Sequence, residues 1–347
     1  MKFSIIIPVY NRPDEVDELL ESLSNQTQKD FEVIIVEDGS VKPCKDVCDK
    51  YAGILALHYY AKENSGPGQS RNYGAERANG EWLIVLDSDV VLPSGYLAAI
   101  DSAISHQTSD IVAFGGPDAA HPSFTPVQKA ISYSMTSFFT TGGIRGGKAK
   151  LDKFYPRSYN MGIRRDVYLE LGGFTKMRFG EDIDFSYRIV EAGYQPRLFP
   201  DAWVWHKRRT DFKKFFRQVY NSGIARINLE KRHPGTLKLV HLLPTVFTVG
   251  VIGLILISAV GRALMHYVDR DQFYWMCFAP WIPILLYSLI IFIDSSIRNR
   301  SLWVGLLSIP AAFVQLTGYG LGFIESWWKR CILKKDEFQA FERTFYK

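Results

Sequence analysis

The sequence predicts an α/β domain built on a largely parallel sheet, followed by C-terminal transmembrane helices. Two patterns predict it. Over roughly the first two thirds of the chain, short β-branched runs alternate with helical stretches and short connections, the order expected of a parallel sheet covered by helices. Beyond Leu239, long uncharged runs take over, each long enough to cross a hydrocarbon core.

Phe3–Ile7 is a compact β-branched run and reads as a buried strand. Pro13 then opens a helical stretch, Asp14–Ser24, in which Val16, Leu19, Leu20 and Leu23 recur at helical spacing. Phe31–Val36 is a second strand and Ile54–Tyr60 a third. A Gly/Pro loop at Ser65–Gln69 leads into a helix over Arg71–Ala78, and Glu81–Leu86 is a fourth strand. The pattern weakens between Gly115 and Asn160, and Thr140–Lys150, rich in Gly, Thr and basic residues, reads as a surface loop. Helical patterning returns after Arg165 and again over Asp182–Ala192, and Trp203–Trp205 reads as a short strand ending at His206.

Asp211–Asn228 is amphipathic: Phe212, Phe215, Phe216, Val219 and Tyr220 share one face, while Lys213, Lys214 and Arg217 lie opposite. A helix lying in a membrane interface and a helix packed on the domain both fit this pattern. Three runs without Asp, Glu, Lys or Arg follow, over 239–261, 272–293 and 301–324. Trp275, Trp281, Trp303, Trp327 and Trp328 near their ends suit an aromatic belt. Three crossings would put the tail opposite the N-terminal domain, yet Lys329, Arg330, Lys334 and Lys335 favour the inner side. Pro280 and Pro283 are positioned to break the second run, and Pro310 to kink the third.

The net charge of +5 on 347 residues is modest and spread out, which argues against nucleic acid as a partner. The basic clusters at Lys213–Arg217 and Lys329–Lys335 flank apolar segments and suit anionic lipid headgroups. Four cysteines (Cys44, Cys48, Cys277 and Cys331) form neither a CxxC pair nor a zinc-spaced cluster, which fits a reducing cytoplasm.

Ligands of open α/β sheets bind beyond the carboxyl ends of the strands. Here those ends carry Pro8–Arg12, Glu37–Ser40 and Asp87–Asp89. Asp87 and Asp89 suit a hard divalent cation, Mg²⁺ or Mn²⁺, shared with substrate phosphates. Surface turns contain the same Asp-x-Asp spacing. Glu37 and Asp38 offer acceptors for a base or ribose, or form a turn before Gly39. Arg71 can reach a diphosphate or pair with a nearby acid. In Gly180-Glu181-Asp182-Ile183-Asp184, three acids open a helix, where the dipole favours them; one also suits a general base. His206 is a further candidate metal or phosphate ligand.

Taken in order, Ile6-Ile7-Pro8-Val9-Tyr10-Asn11, Val36-Glu37-Asp38-Gly39-Ser40, Asn64–Asn72, Leu86–Asp89 and Gly180–Asp184 resemble a family 2 glycosyltransferase. The resemblance implies a GT-A (Rossmann-like) mixed sheet flanked by helices and inverting transfer of a sugar from a nucleotide-sugar donor. It implies a catalytic domain over residues 1–230; the uncharged runs then give a transmembrane region over 231–328, and the Lys/Arg cluster a basic tail over 329–347. Pro8, Tyr10, Glu37 and Asp38 would surround the nucleotide base, with Arg71 near the nucleotide. Asp87 would face the ribose or sugar, Asp89 would hold the metal, and Asp182 would act as base with Glu181 beside it. The Gly172-Gly173-Phe174 turn would shape the acceptor side, and the Thr140–Lys150 loop would close over the donor or contact an anionic acceptor.

Processive synthases of this family carry a Gln-x-x-Arg-Trp motif after the core. The matching stretch here is Gln218-Val219-Tyr220-Asn221-Ser222, without the Arg-Trp pair, which favours one sugar per binding event. The expected setting is the inner or plasma membrane, multi-pass, with the catalytic domain cytoplasmic and a lipid-linked or surface-glycan acceptor. The rival readings are a processive synthase, an inactive membrane scaffold and a nucleotidyltransferase. Asn11-Arg12-Pro13 lacks the Gly-rich basic loop the last would need.

Overall fold

A computed structural model describes residues 1–106, 111–121, 123–141, 154–177, 179–264 and 277–341. In chain order the elements are β1 Phe3–Val9, α1 Pro13–Ser24, β2 Phe31–Asp38, α2 Lys45–Tyr51, β3 Leu57–Lys62, α3 Pro67–Glu76, β4 Trp82–Leu86, β5 Val90–Val91, α4 Tyr96–His106, β6 Ala113–Gly115 and β7 Asp118–Ala119. They continue with α5 Pro126–Thr136, α6 Phe138–Thr141, β8 Asn160–Arg164, α7 Arg165–Glu170, α8 Glu181–Glu191, β9 Arg197–Leu198, β10 Val204–His206, α9 Phe212–Arg232, α10 Leu243–Leu264, α11 Ile282–Asn299 and α12 Leu302–Trp327. Two units result, one of residues 1–122 and 146–207, the other of 123–145 and 208–347.

The first unit is organised by a seven-stranded sheet in the order β3-β2-β1-β4-β8-β6-β9. Strands β1, β2, β3 and β4 pair in parallel, whereas β8 is antiparallel to both β4 and β6, so the sheet is mixed. The uninterrupted apolar runs in β1 and β2 follow from burial on both faces. Phe3, Ile5 and Ile7 pack with Val16, Leu19, Leu20 and Leu23 of α1. Ile6, Ile34 and Val36 point to the other face, with Ala75 of α3 and Phe185 of α8. A smaller three-stranded sheet runs β5-β10-β7.

Several expected boundaries move. Helix α3 starts at Pro67, inside the expected Gly/Pro loop, because proline is well placed in a first helical turn. Strand β3 begins at Leu57, leaving Ile54 exposed before it. Strand β2 runs through Asp38, so both acids at its end are strand residues. Of the expected loop Thr140–Lys150, Thr140 and Thr141 close α6, with Thr140 buried; 142–150 lie outside the described residues.

The second unit is helical. Among the described residues, three of its helical segments, Leu239–Leu264, Ala279–Asn299 and Leu302–Ile332, are long and apolar enough to cross a membrane. Pro283 falls in the first turn of α11, where no helical hydrogen bond is lost, and Pro310 lies inside α12. Helix α9 packs its apolar face on protein: Phe215 and Val219 share a cluster with Ile131 and Met135 of α5.

Candidate active site

The carboxyl ends of β1, β2 and β4 and the start of α8 converge through side-chain contacts. Asn11, just past β1, adopts the left-handed backbone region (φ 56°). Its N–H donates to Ser40 Oγ at 2.7 Å, and its Oδ1 accepts from the Val41 and Lys42 N–H groups at 2.7 and 2.9 Å. Glu37 is buried and accepts from the Cys44 N–H at 2.7 Å and from the Ser40 hydroxyl. Asp38 is buried and accepts from the Ser65 and Gly66 N–H groups, both at 2.9 Å, and from Lys62. These two acids therefore tie loops to the sheet. Pro8 and Tyr10 are half-buried at the end of β1.

Arg71 projects from α3 into the interior and is 2% exposed. One terminal nitrogen donates to Asp87 Oδ1 at 2.6 Å and the other to Glu181 Oε1 at 3.0 Å. The guanidinium also lies over the Phe174 ring, 5.1 Å from its centroid. Of the two roles open to Arg71 from sequence, pairing with acids is the one seen. Burial pushes the Glu181 carboxyl up, to about 7, against the pull of Arg71 and with a further push from Asp182. Burial works against the charge on Arg71, but the two flanking acids outweigh it and hold the guanidinium even more firmly protonated than usual.

Asp87, Asp89 and His206 offer ligand atoms that all lie within 4.8 Å of one another. Sheet register brings them together: β10 pairs antiparallel with β5, placing His206 opposite Val90 and therefore beside Asp89. The Lys207 N–H donates to the Asp89 carbonyl at 2.9 Å, closing the corner. His206 Nε2 is 3.2 Å from Asp89 Oδ1. On the other side of the ring, Nδ1 is 3.6 Å from Asp118 Oδ2, while Tyr159 stacks on the ring at 4.8 Å. Two carboxylates and an imidazole are a fitting donor set for a borderline-to-hard divalent cation such as Mn²⁺. A carboxylate behind the imidazole is the usual means of orienting a histidine ligand.

At the start of α8, Glu181 and Asp182 separate in environment. Glu181 is buried on Arg71, whereas Asp182 is half-buried, with Oδ2 3.4 Å from the Arg157 guanidinium. Asp184 accepts from the Thr175 hydroxyl at 2.9 Å and from Arg188 at 3.2 Å, fastening α8 to the preceding turn. That turn is held by Asn72, which the sequence reading did not single out. Its Oδ1 accepts from the Phe174 N–H at 2.8 Å and the Tyr168 hydroxyl at 2.6 Å, and its amide donates to the Phe174 carbonyl at 2.8 Å. Gly173 takes φ +62°, and a Cβ there would lie 2.4 Å from Asn72 Oδ1, so only glycine fits.

A mixed sheet with acids gathered at the end of its fourth strand is the arrangement of a GT-A fold. Residues 4–172 match the family model described as Glycosyl transferase family 2. Over those residues the chain matches a family 2 glycosyltransferase domain. It is 27% identical over 252 residues to a pre-mycofactocin glycosyltransferase of Mycobacterium tuberculosis, covering 67% of this chain and 48% of that protein. It is 30% identical over 194 residues to an uncharacterised glycosyltransferase of Haemophilus influenzae, covering 54% of this chain and 62% of that one. The chain thus spans less than two thirds of the length of either relative. In fold it resembles a mannosyltransferase of Pyrobaculum calidifontis solved with GDP-Man and Mn²⁺, with a TM-score of 0.56 at 14% identity over 95% of this chain and 88% of that one.

Proposed function

We propose that this family 2 domain transfers a single sugar, of hexose type, from a nucleotide-sugar donor to a lipid-linked or surface-glycan acceptor, with inversion. The observation that carries this reading is the linkage Asp89–His206 beside Asp87, and Asp87 to Glu181 through Arg71. It ties the candidate cation site to the first turn of α8, where Asp182 stands. Asp87, Asp89 and His206 would hold Mg²⁺ or Mn²⁺, which when bound offsets charge on the departing diphosphate. A mannosyltransferase of similar fold solved with Mn²⁺ supports the metal assignment. The donor we assign is a UDP-sugar, uridine being what the family resemblance implies.

The protein's own groups divide the remaining work. Arg71 is a positioning residue: fixed between Asp87 and Glu181, it holds one ligand and the helix start in register. Asp182 removes the proton from the acceptor hydroxyl as that oxygen attacks the anomeric carbon, which inverts the centre in one displacement. Glu181 is too deeply buried on Arg71 to serve as that base. Pro8 and Tyr10 flank the base, and Glu37 and Asp38 shape its seat by pinning residues 40–44 and 65–66. We place the protein in the inner or plasma membrane, multi-pass, with the catalytic unit cytoplasmic, on the strength of its apolar helices.

The missing Arg-Trp pair at Gln218–Ser222 favours single transfer over processive synthesis. The acids present at Asp87, Asp89 and Asp182 favour catalysis over a scaffold. A panel of nucleotide-sugars tested for binding and slow hydrolysis, with Mn²⁺ and with chelator, tests the reading. At least one donor is expected to respond only with metal. A flat response across the panel would remove the assignment.

A further inference from the structure

Of the three membrane-length helices, α12 differs from the other two. Its most apolar window is 44% buried within the protein, against 6% for the window in α10 and 11% for that in α11. What buries it is chiefly α9, running alongside in the same direction, with one end of α10 and α11 also against it: the Thr248 hydroxyl donates to the Leu316 carbonyl at 3.3 Å, and the Ser295 and Ser308 hydroxyls share a hydrogen bond at 2.7 Å. Phe215 and Val219 share a cluster with Val314, Gly318 faces Val219, Gly322 meets the Tyr220 backbone, and the Ser326 hydroxyl donates to the Ile224 carbonyl at 3.2 Å. A Cβ at Gly223 would come within 2.1 Å of the Tyr319 carbonyl oxygen, so the two backbones touch. Helix α5 adds further cover, with Ala130 packed among Val304 and Ala311.

Helix α9 carries Lys213, Lys214, Arg217 and Arg226 along this same length. Each such charge costs about 2.5–3.5 kcal/mol at a bilayer centre on insertion scales. A helix bound to α9 over most of its length cannot leave it to cross the hydrocarbon alone. Trp303, Trp327 and Trp328 remain exposed on α12 and the turn after it, together with Leu302 and Leu306, as suits a helix lying at the headgroup level.

The tail points the same way. After α12 it returns to α9: the Ala340 N–H donates to Asn221 Oδ1 at 2.9 Å, the Asn221 amide donates back to the Ala340 carbonyl at 3.2 Å, and Glu337 pairs with Arg232 at 2.8 Å. Helix α9 itself follows His206 and Lys207 of the catalytic unit with no apolar segment between them. Helices α10 and α11 form an antiparallel pair that meets α12 near one end, where Phe247 and Tyr287 both contact Phe313. Phe247 meets Tyr287, and the Trp281 indole N–H donates to Ser258 at 2.8 Å, so residue numbers rise along one helix as they fall along the other. Their outer faces, including Leu256, Leu285 and Leu286, are exposed.

We infer that this chain is held in the bilayer by the α10–α11 hairpin alone, while α12 lies in the interface, so that catalytic unit and basic tail share one side of the membrane. The inference rests on the membrane reading above. It resolves the conflict in the sequence between three apolar runs and a basic tail, because an even number of crossings returns Lys329 and Arg330 to the side of the catalytic unit.

Cys331 is the natural reporter, exposed just beyond α12, whereas Cys44, Cys48 and Cys277 are buried. The full chain, with an epitope at each terminus, is treated with a membrane-impermeant maleimide and with protease in right-side-out and in inverted vesicles. Cys331 is expected to label only in the vesicles where protease removes the N-terminal epitope, the C-terminal epitope is expected to be cut there too, and Cys331→Ser should abolish the label. Labelling of Cys331, or cleavage of the C-terminal epitope, in the vesicles that protect the N-terminal epitope would overturn the hairpin in favour of three crossings. Recovery of the chain in the alkaline-carbonate supernatant would overturn the membrane reading itself, and is told apart because no sidedness is then observed.

Discussion

His206 Nε2 stands 3.2 Å from Asp89 Oδ1, and strand register sets that distance. Asp118, reached through the parallel pairing of β7 with β10, backs the other ring nitrogen. Losing a carboxylate behind a metal-bound histidine typically costs about 10–100-fold in metal affinity. Asp118→Asn is therefore expected to weaken Mn²⁺ binding within that range, and His206→Ala at least as much, in a Mn²⁺ titration of folded protein. Unchanged affinity in both variants would remove His206 from the site.

Arg71 bridges Asp87 and Glu181 from a position almost closed to solvent. Removing one partner of a buried ionic cluster leaves uncompensated charge and costs about 3–5 kcal/mol. Arg71→Met should lower the unfolding free energy of the catalytic unit by about that amount in a denaturant titration. Arg71→Lys keeps the charge but not the planar fork, and should lose less. A Met variant as stable as the parent would contradict the bridging role.

Much of this was legible in the sequence, and the gaps have physical reasons. Strands β1, β2 and β4 are buried on both faces and declare themselves as apolar runs. Asp87, Asp89 and His206 stood out as polar residues at strand ends. Asp118 did not, because β7 is two residues long and its partner β10 lies far along the chain. Nor could sequence choose between the two roles of Arg71: its partner Glu181 is 110 residues away. Helix α2 escaped notice because Cys48 is its one buried side chain and gives no periodic signal. Glu37 and Asp38 looked like open acceptors, yet backbone N–H groups of nearby loops occupy them.

Burial holds the Glu181 carboxyl near 7, above its ordinary 4.5. The folded state then keeps a proton that the unfolded chain releases. The stabilisation this gives is complete below about pH 4.5 and is lost as pH rises through about 7. Glu181→Gln stays neutral throughout, so the Tm of Glu181→Gln minus that of the parent is expected to grow between pH 5 and pH 8. Parallel melting curves across that range would contradict the raised value.

Asp182, in contrast to Glu181, retains access to solvent. Removal of a general base typically costs about 10²–10⁴-fold in rate. Asp182→Asn is expected to lose that much of kcat for acceptor-dependent transfer while donor affinity changes little. Equal losses in kcat and in donor binding would place Asp182 in the donor site and vacate the role of base.

A cation held by Asp87, Asp89 and His206 would secure the nucleotide-sugar. Calorimetric titration of the responding donor into the parent and into Asp89→Asn, each with Mn²⁺ and with chelator, tests it most directly. Mn²⁺ is expected to tighten donor binding in the parent and to have little effect on the variant. Equal Mn²⁺ dependence in the two proteins would contradict it.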